Sequence, residues 1–296
     1  MTFNIFQTNI LNLYGHKGQI WLNQLPRLIA AVTAEKGLHH LRQMPHLSFN
    51  YVASGFRRRT PIILKLGLDR NALNQEALAL KGFAGCGSVL LLDQLELKDG
   101  GGLILQQALP GTSLDAFFPE KEDASIDIAC NVIKRLHQAK IPKNHQFLHI
   151  RDVLKALDHN WDVPSHLLEE SRKFRDELLD TATTDVLLHG DLHHKNILKN
   201  GDDWIAIDPK GFIGEPAYEI GAFIRNPAPM LLDHNHLKNV ITNRIVRFSH
   251  ALELPPVRVF KWCFVQTQLA WIWALEDRCE TTGWSAITDV LRSLTF

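Results

Sequence analysis

Residues 185–219 read DVLLHGDLHHKNILKNGDDWIAIDPKGFIGEPAYE. A short apolar run, Val186-Leu187-Leu188, delivers His189, Gly190 and Asp191 to a turn. Asn196 follows five residues after Asp191 and opens the strand-like pair Ile197-Leu198. Asn200-Gly201 marks a reversal, and residues 204–207 read as the returning strand ahead of Asp208. Asn-Gly between two apolar runs is a strong hairpin signal. A reversal about Asp202 sets Asn196 opposite Asp208, to within one residue of register. The hairpin then brings an amide oxygen beside a carboxylate, with a second carboxylate, Asp191, one loop upstream. Hard oxygen donors from one or two side chains, the remaining positions left to phosphate and water, suit Mg²⁺. Asp191 is left to act on a hydroxyl. A buried hairpin whose polar residues merely cap turns accounts for one such aspartate, but not for the ordered set with Gly190 and Pro209.

The rest of the chain sets bounds on this reading. At 296 residues it can bury a large core and hold two lobes. Lys plus Arg and Asp plus Glu are 32 each, so the net charge is zero and the positive excess of a nucleic-acid footprint is missing. Cys86, Cys130, Cys263 and Cys279 are widely spaced without a Cys-x-x-Cys pair, which fits reduced thiols. No leader pattern and no apolar stretch of spanning length is found, so the expectation is a soluble cytoplasmic protein without membrane contact.

Taken in order, residues 19–36 keep a helical period, with a break expected at Pro26 and a stop at Gly37. Strands are expected over 38–44, 48–55 and 61–67. In the third, Ile62-Ile63-Leu64-Lys65-Leu66, both faces are apolar except at Lys65, so its ammonium needs a partner. Glu76 stands eleven residues later in a helical stretch over 71–81. Between the first two strands the chain reads Pro45-His46-Leu47-Ser48-Phe49-Asn50, which is no Gly-x-Gly-x-x-Gly loop. Residues 89–97 and 102–109 form a second hairpin around Asp99-Gly100-Gly101, and 106–111 read as a connector ending in the turn Pro110-Gly111. Helices follow over 124–138, 165–179 with Ser165 as N-cap, 217–224, 237–252, 256–277 and 284–294. Strands first and helices after is an α+β layout, with lobes over 1–110 and 111–296.

The order Asp191, Asn196, hairpin, Asp208 follows the catalytic-loop logic of phosphoryl-transfer kinases. The wording HGDLHHKN…IDPKG…GEPAYEIG…RNP resembles the aminoglycoside phosphotransferase superfamily, nearest its streptomycin/hydroxyurea phosphotransferase branch. The resemblance runs from residue 48 through Arg225-Asn226-Pro227 and is strongest over 188–221. It implies a bilobal protein-kinase-like fold, ATP or GTP with Mg²⁺, and O-phosphorylation of a small hydroxylated molecule. In that scheme Asp191 orients the acceptor hydroxyl and takes its proton, and Asn196 and Asp208 hold the metal. Lys65, fixed by Glu76, faces the nucleotide phosphates, and His193 reaches the transferred phosphate. Main-chain groups of Gln106 and Ala108 meet the adenine edge, while His189 locks the loop. A streptomycin-type aminoglycoside, cationic and inactivated by phosphorylation, is the expected acceptor. Glu219 and Glu276 are candidate carboxylates for it, with Glu215 nearby. Trp262, Trp271 and Trp273 are expected in the core. A metabolic sugar or amino-alcohol kinase is the alternative within the same chemistry. More distant are a metallohydrolase built on His189, Asp191, His193 and His194, and a non-catalytic nucleotide-binding module. A monomer or homodimer is expected.

Overall fold

A computed structural model describes residues 5–45, 47–277 and 281–296; His46 and Cys279 lie outside them. The chain divides into two compact units, Met1–Lys81 with Val89–Ala108, and Gly82–Ser88 with Leu109–Phe296.

In the first unit, strand alternation builds one antiparallel sheet. Strands β1 (Leu38–Gln43), β2 (Tyr51–Arg57), β3 (Thr60–Gly67), β4 (Leu91–Glu96) and β5 (Gly101–Gln106) lie in the order β1-β2-β3-β5-β4. The centre falls to β3, the most apolar strand: Ile62, Leu64 and Leu66 have no exposed surface. Helix α1 (Ile5–Lys36) packs Phe6, Ile10, Trp21, Leu25 and Val32 into the same core. The break expected at Pro26 does not occur. The kink lies instead at Gly15, whose φ of 52° and ψ of −127° suit glycine. A proline inside a helix costs about 3 kcal/mol, and each large apolar side chain buried returns roughly 1.5–3 kcal/mol. Trp21, Leu25 and Val32, on either side of Pro26, therefore suffice to carry the helix through it. Helix α2 (Arg70–Phe83) buries Leu73, Glu76, Ala77 and Leu80, one face at helical spacing. Glu76 is thus turned inward by the same periodicity that buries its apolar neighbours.

In the second unit the elements are β6 (Pro110–Ser113), α3 (Glu122–Leu136), β7 (Leu148–His149), α4 (Ile150–Val153), α5 (Ser165–Asp180), β8 (Val186–Leu188), β9 (Ile197–Asn200), β10 (Asp203–Ala206), β11 (Phe212–Gly214), α6 (Gly221–Ile224), α7 (Leu237–Ala251), α8 (Pro256–Glu276) and α9 (Trp284–Arg292). Two small sheets, β10-β9-β6 and β7-β11-β8, frame the 185–219 stretch. Helix α8 is the unit's core element, packing against α5, α6, α7 and α9. Trp262 on it is fully buried, whereas Trp271 and Trp273 are half-buried. Ser165 is the first residue of α5 rather than its cap; Pro164 holds the cap position, without a side-chain hydrogen bond. The fold is α+β and protein-kinase-like, an antiparallel-sheet unit and a mainly helical one. No helix among the described residues is long and apolar enough to cross a membrane.

Leu64 touches only core, so Leu64→Ala should destabilise the first unit by about 2–5 kcal/mol. Denaturant unfolding followed by circular dichroism measures this as a lowered midpoint of that unit's transition.

Candidate active site

The β9–β10 ribbon pairs Asn200 with Asp203 and Ile197 with Ala206. Its reversal is the two-residue turn Gly201-Asp202, with Gly201 at φ 59°. The pivot therefore falls between those residues, and Asn196 opposes Ile207, whose N–H donates to the Asn196 carbonyl at 2.9 Å. Asp208 sits one residue beyond the register read from the sequence. Strict strand alternation would carry it to the opposite face. It instead adopts a positive φ of 59°, which ends the alternation and re-aims the side chain. Asn196 is buried and donates from Nδ2 to the Asp191 carbonyl at 2.9 Å. The amide's donor end is thus spent on the loop, and Oδ1 is the end that can serve a cation.

The loop that carries Asp191 is held from below by one carboxylate. Glu219 Oε2 accepts from the His189 N–H at 2.7 Å, and Oε1 accepts from the Gly190 N–H at 2.9 Å. Glu219 is 1% exposed. Its expected place among acceptor-binding carboxylates is overturned, because both oxygens already serve the backbone. Burial pulls its pKa up, but the imidazoles of His137 and His189 and the Gly190 amide outweigh this and hold it below the ordinary value. Gly190 has φ 82°, and a Cβ there would come within 2.7 Å of the Phe212 ring. Only glycine fits that position. His189 is buried, with Nε2 2.7 Å from the Ile207 carbonyl and Nδ1 accepting from the Asp191 N–H. Glu215, the other nearby acid, is buried against Arg258 and the Trp262 Nε1–H. Glu276 is exposed at the last residue of α8.

Around Asp191 the charges are mostly positive. Burial raises its pKa, yet His193, Lys210, Arg225 and His189 together draw it below the ordinary aspartate value. Arg225 carries no role in the sequence reading. It is 5% exposed, its Nη2 is 3.9 Å from Asp191 Oδ1, and its Nη1 donates to Gln266 Oε1 at 3.3 Å. The signal was present: an arginine directly after Ala222-Phe223-Ile224 is a charge heading into the core, and such a charge needs a partner. Burial, with Arg225 and His189, lowers the His193 pKa against the pull of Asp191, so that imidazole is neutral near pH 7. His194 is fully buried, stacked on Phe223 at 3.8 Å with Nε2 3.4 Å from Arg244 Nη2. His193 Nδ1 accepts from the Lys195 N–H at 3.2 Å. Among the described residues no group of three or more His, Cys, Asp and Glu could hold a metal ion.

Two further expectations fall in the first unit. Lys65 Nζ donates to Glu76 Oε2 at 2.6 Å, both side chains nearly buried. In the connector, the Gln106 N–H donates to the Leu90 carbonyl at 2.9 Å, and its side-chain Oε1 accepts from the Leu90 N–H at 3.3 Å. The Gln106 N–H is therefore taken by the sheet. Ala108 is 6% exposed, and its N–H and carbonyl have no hydrogen-bond partner among the described residues.

Glu219→Gln should cost roughly 1–3 kcal/mol, because one loop N–H then faces an NH₂ group. The folded pKa of Glu219 is depressed, so its stabilisation is complete above about 4.5 and is lost as pH falls through the lower folded value. Denaturation midpoints at pH 7 and pH 4 should show the gap between the two proteins closing on the acid side.

Residues 51–278 match the model of a family described as aminoglycoside/hydroxyurea antibiotic resistance kinase. Streptomycin 6-kinase of Streptomyces griseus is 24% identical over 276 residues, covering 89% of this chain and 87% of that one. An aminoglycoside phosphotransferase from Streptomyces rimosus, solved with ADP and streptomycin, superposes with a TM-score of 0.59 at 16% identity, over 82% of this chain and 97% of that one. A choline kinase from Streptococcus pneumoniae gives a TM-score of 0.63 at 12% identity, over 92% and 100%. A match spanning most of the chain, on the same Asp191–Asp208 stretch that Glu219 organises, means that the chain belongs to the aminoglycoside/hydroxyurea antibiotic resistance kinase family.

Proposed function

We propose that this kinase transfers the γ-phosphoryl group of ATP to a ring hydroxyl of a streptomycin-type aminoglycoside, with Asp191 as the catalytic carboxylate. The observation that carries the reading is the clamp on Asp191: successive loop amides held by Glu219, and its own carbonyl held by Asn196. Phosphoryl transfer asks the protein for position and charge neutralisation rather than covalent help. Asp191, kept ionised by its cationic neighbours, accepts the hydroxyl hydrogen of the substrate and aims the oxygen at phosphorus. It receives the proton as the new P–O bond forms and the bond to ADP breaks. Asn196 Oδ1 and the Asp208 carboxylate are hard oxygen donors of the kind Mg²⁺ takes. When bound, that ion neutralises phosphate charge. In the first unit Lys65, held by Glu76, is the group for the α- and β-phosphates, and Ala108 is the residue for the adenine edge. Neutral His193 is a candidate to hydrogen-bond the transferred phosphate.

The second reading is a sugar or amino-alcohol kinase, and one observation favours its uncharged branch, the sugar. Glu215 and Glu219, two of the acids that would attract a cationic drug, are buried in structural roles. That leaves Glu276 as the exposed one of the three.

ADP release from MgATP across streptomycin, other aminoglycosides, hydroxyurea, sugars and amino alcohols tests both readings. Streptomycin should stimulate release most; stimulation by a sugar or amino alcohol alone selects the second. With the active acceptor, Asp191→Asn should lower kcat roughly 10²–10⁴-fold and leave the KM for ATP near its original value. A variant that keeps most of its turnover removes Asp191 from its role.

A further inference from the structure

A second guanidinium, fully buried, stands behind the catalytic loop. Arg244 on α7 has no exposed surface. Arginine carries five donors and no acceptor, and the packed core surrounds this one with acceptors. Nε donates to Glu122 Oε1 at 2.5 Å, in the first turn of α3. Nη1 donates to the carbonyls of Phe223 at 3.0 Å, Ile224 at 2.9 Å and Asn226. Nη2 lies 3.4 Å from His194 Nε2. Because the guanidinium can only donate, His194 offers the Nε2 lone pair and keeps its hydrogen on Nδ1, which is shielded from solvent. The Phe118 and Phe223 rings face the guanidinium, their centroids 5.5 and 5.3 Å from Cζ.

These acceptors belong to two segments that meet at Asp191. The three carbonyls bracket Arg225, whose Nη2 is 3.9 Å from Asp191 Oδ1. His194 opens the short turn His194–Asn196, and Asn196 Nδ2 donates to the Asp191 carbonyl. Holding α7 to α3 does not require this fork, since Asn243 and Arg247 already bind Asp123 and Asp127.

We propose that Arg244 is a positioning residue for phosphoryl transfer: it ties the 223–226 segment to the 194–196 turn, and so sets Arg225 and Asn196 against Asp191. The consequence for turnover rests on the role given to Asp191; the consequence for the two segments does not.

Amide hydrogen exchange in the full chain tests it at Asn196 and Asn226, whose N–H groups donate to the His193 and Phe223 carbonyls. Arg244→Met alone would leave the Glu122 carboxylate buried without its partner, so it is combined with Glu122→Gln. The double variant should exchange both amides at least tenfold faster, with α8 unchanged. Its kcat with the active acceptor should fall at least tenfold, and its KM for ATP should stay within about threefold. Arg244→Lys keeps a charge for Glu122 but offers a point rather than a fork, and should lose kcat to a similar degree. Nitrogen NMR of the original protein should show His194 with its hydrogen on Nδ1. Where Asp191→Asn is inactive, a lysine variant with the original kcat overturns the proposal. Whatever Asp191 does, the proposal is also overturned if both amides stay protected in the double variant, or if α8 loosens by the same factor. A His194 hydrogen on Nε2 overturns it as well. If Asp191→Asn stays active while the double variant releases both amides, only the role of Asp191 fails.

Discussion

A single buried carboxylate accepting two successive backbone N–H groups is the contact on which the rest of the active site depends. Glu219 reaches the His189 and Gly190 amides at 2.7 and 2.9 Å, and the loop between them and Asn196 has little freedom left. An ionised group in this position would ordinarily be costly, since removing a carboxylate from water costs several kcal/mol. The cost is offset because charged hydrogen bonds to amides are about twice as strong as neutral ones, and because His137 and His189 stand beside it. Gly190 completes the arrangement: its positive φ points both amides the same way, and the Phe212 ring occupies the space of a side chain.

Asp191 inherits both its place and its chemistry from this frame. The cations beside it, Arg225 and Lys210, keep it ionised and make it a weak base. In the role proposed for Asp191, a weak base suits a reaction whose transition state is loose, where the hydroxyl proton is lost late and orientation matters more than proton affinity. Arg225 is in turn fixed by Gln266 on α8, so the helix at the centre of the second unit also sets the electrostatics of its loop. In the first unit the same economy appears at Lys65. Its ammonium is buried with Glu76, on the inward face of α2, 2.6 Å away.

The acids that follow the hairpin show how position in a sequence misleads about exposure. Glu215 and Glu219 come four residues apart in a polar-looking stretch, GEPAYE, and invite a role at a cationic substrate. Both are buried, one against the Arg258 guanidinium and the Trp262 indole, the other against backbone amides. The two acids nearest the β9–β10 ribbon are thus committed to holding the fold.

Much of the site was legible because its spacing is local. The Asp191–Asn196 interval, the Asn200-Gly201 turn and the Lys65–Glu76 pairing each follow from a short-range rule of hairpin or helix periodicity. The helices of the second unit were legible for the same reason. What escaped depended on one residue of register or on distant partners. The turn pivots between Gly201 and Asp202, a choice within the one-residue bound of the sequence reading that no composition rule narrows. Pro26 stayed inside α1 because apolar packing outweighed a local penalty. Arg225 beside Asp191, Glu219 beneath His189 and His137 beside Glu219 join residues separated by 34, 30 and 82 positions. The sequence by itself determined which residue types line the reacting ribbon, since hydrogen-bonding turns and strand alternation act between neighbours. Only the tertiary structure decided which charges are buried together, because the burial that makes a carboxylate need a partner is a property of the packed core.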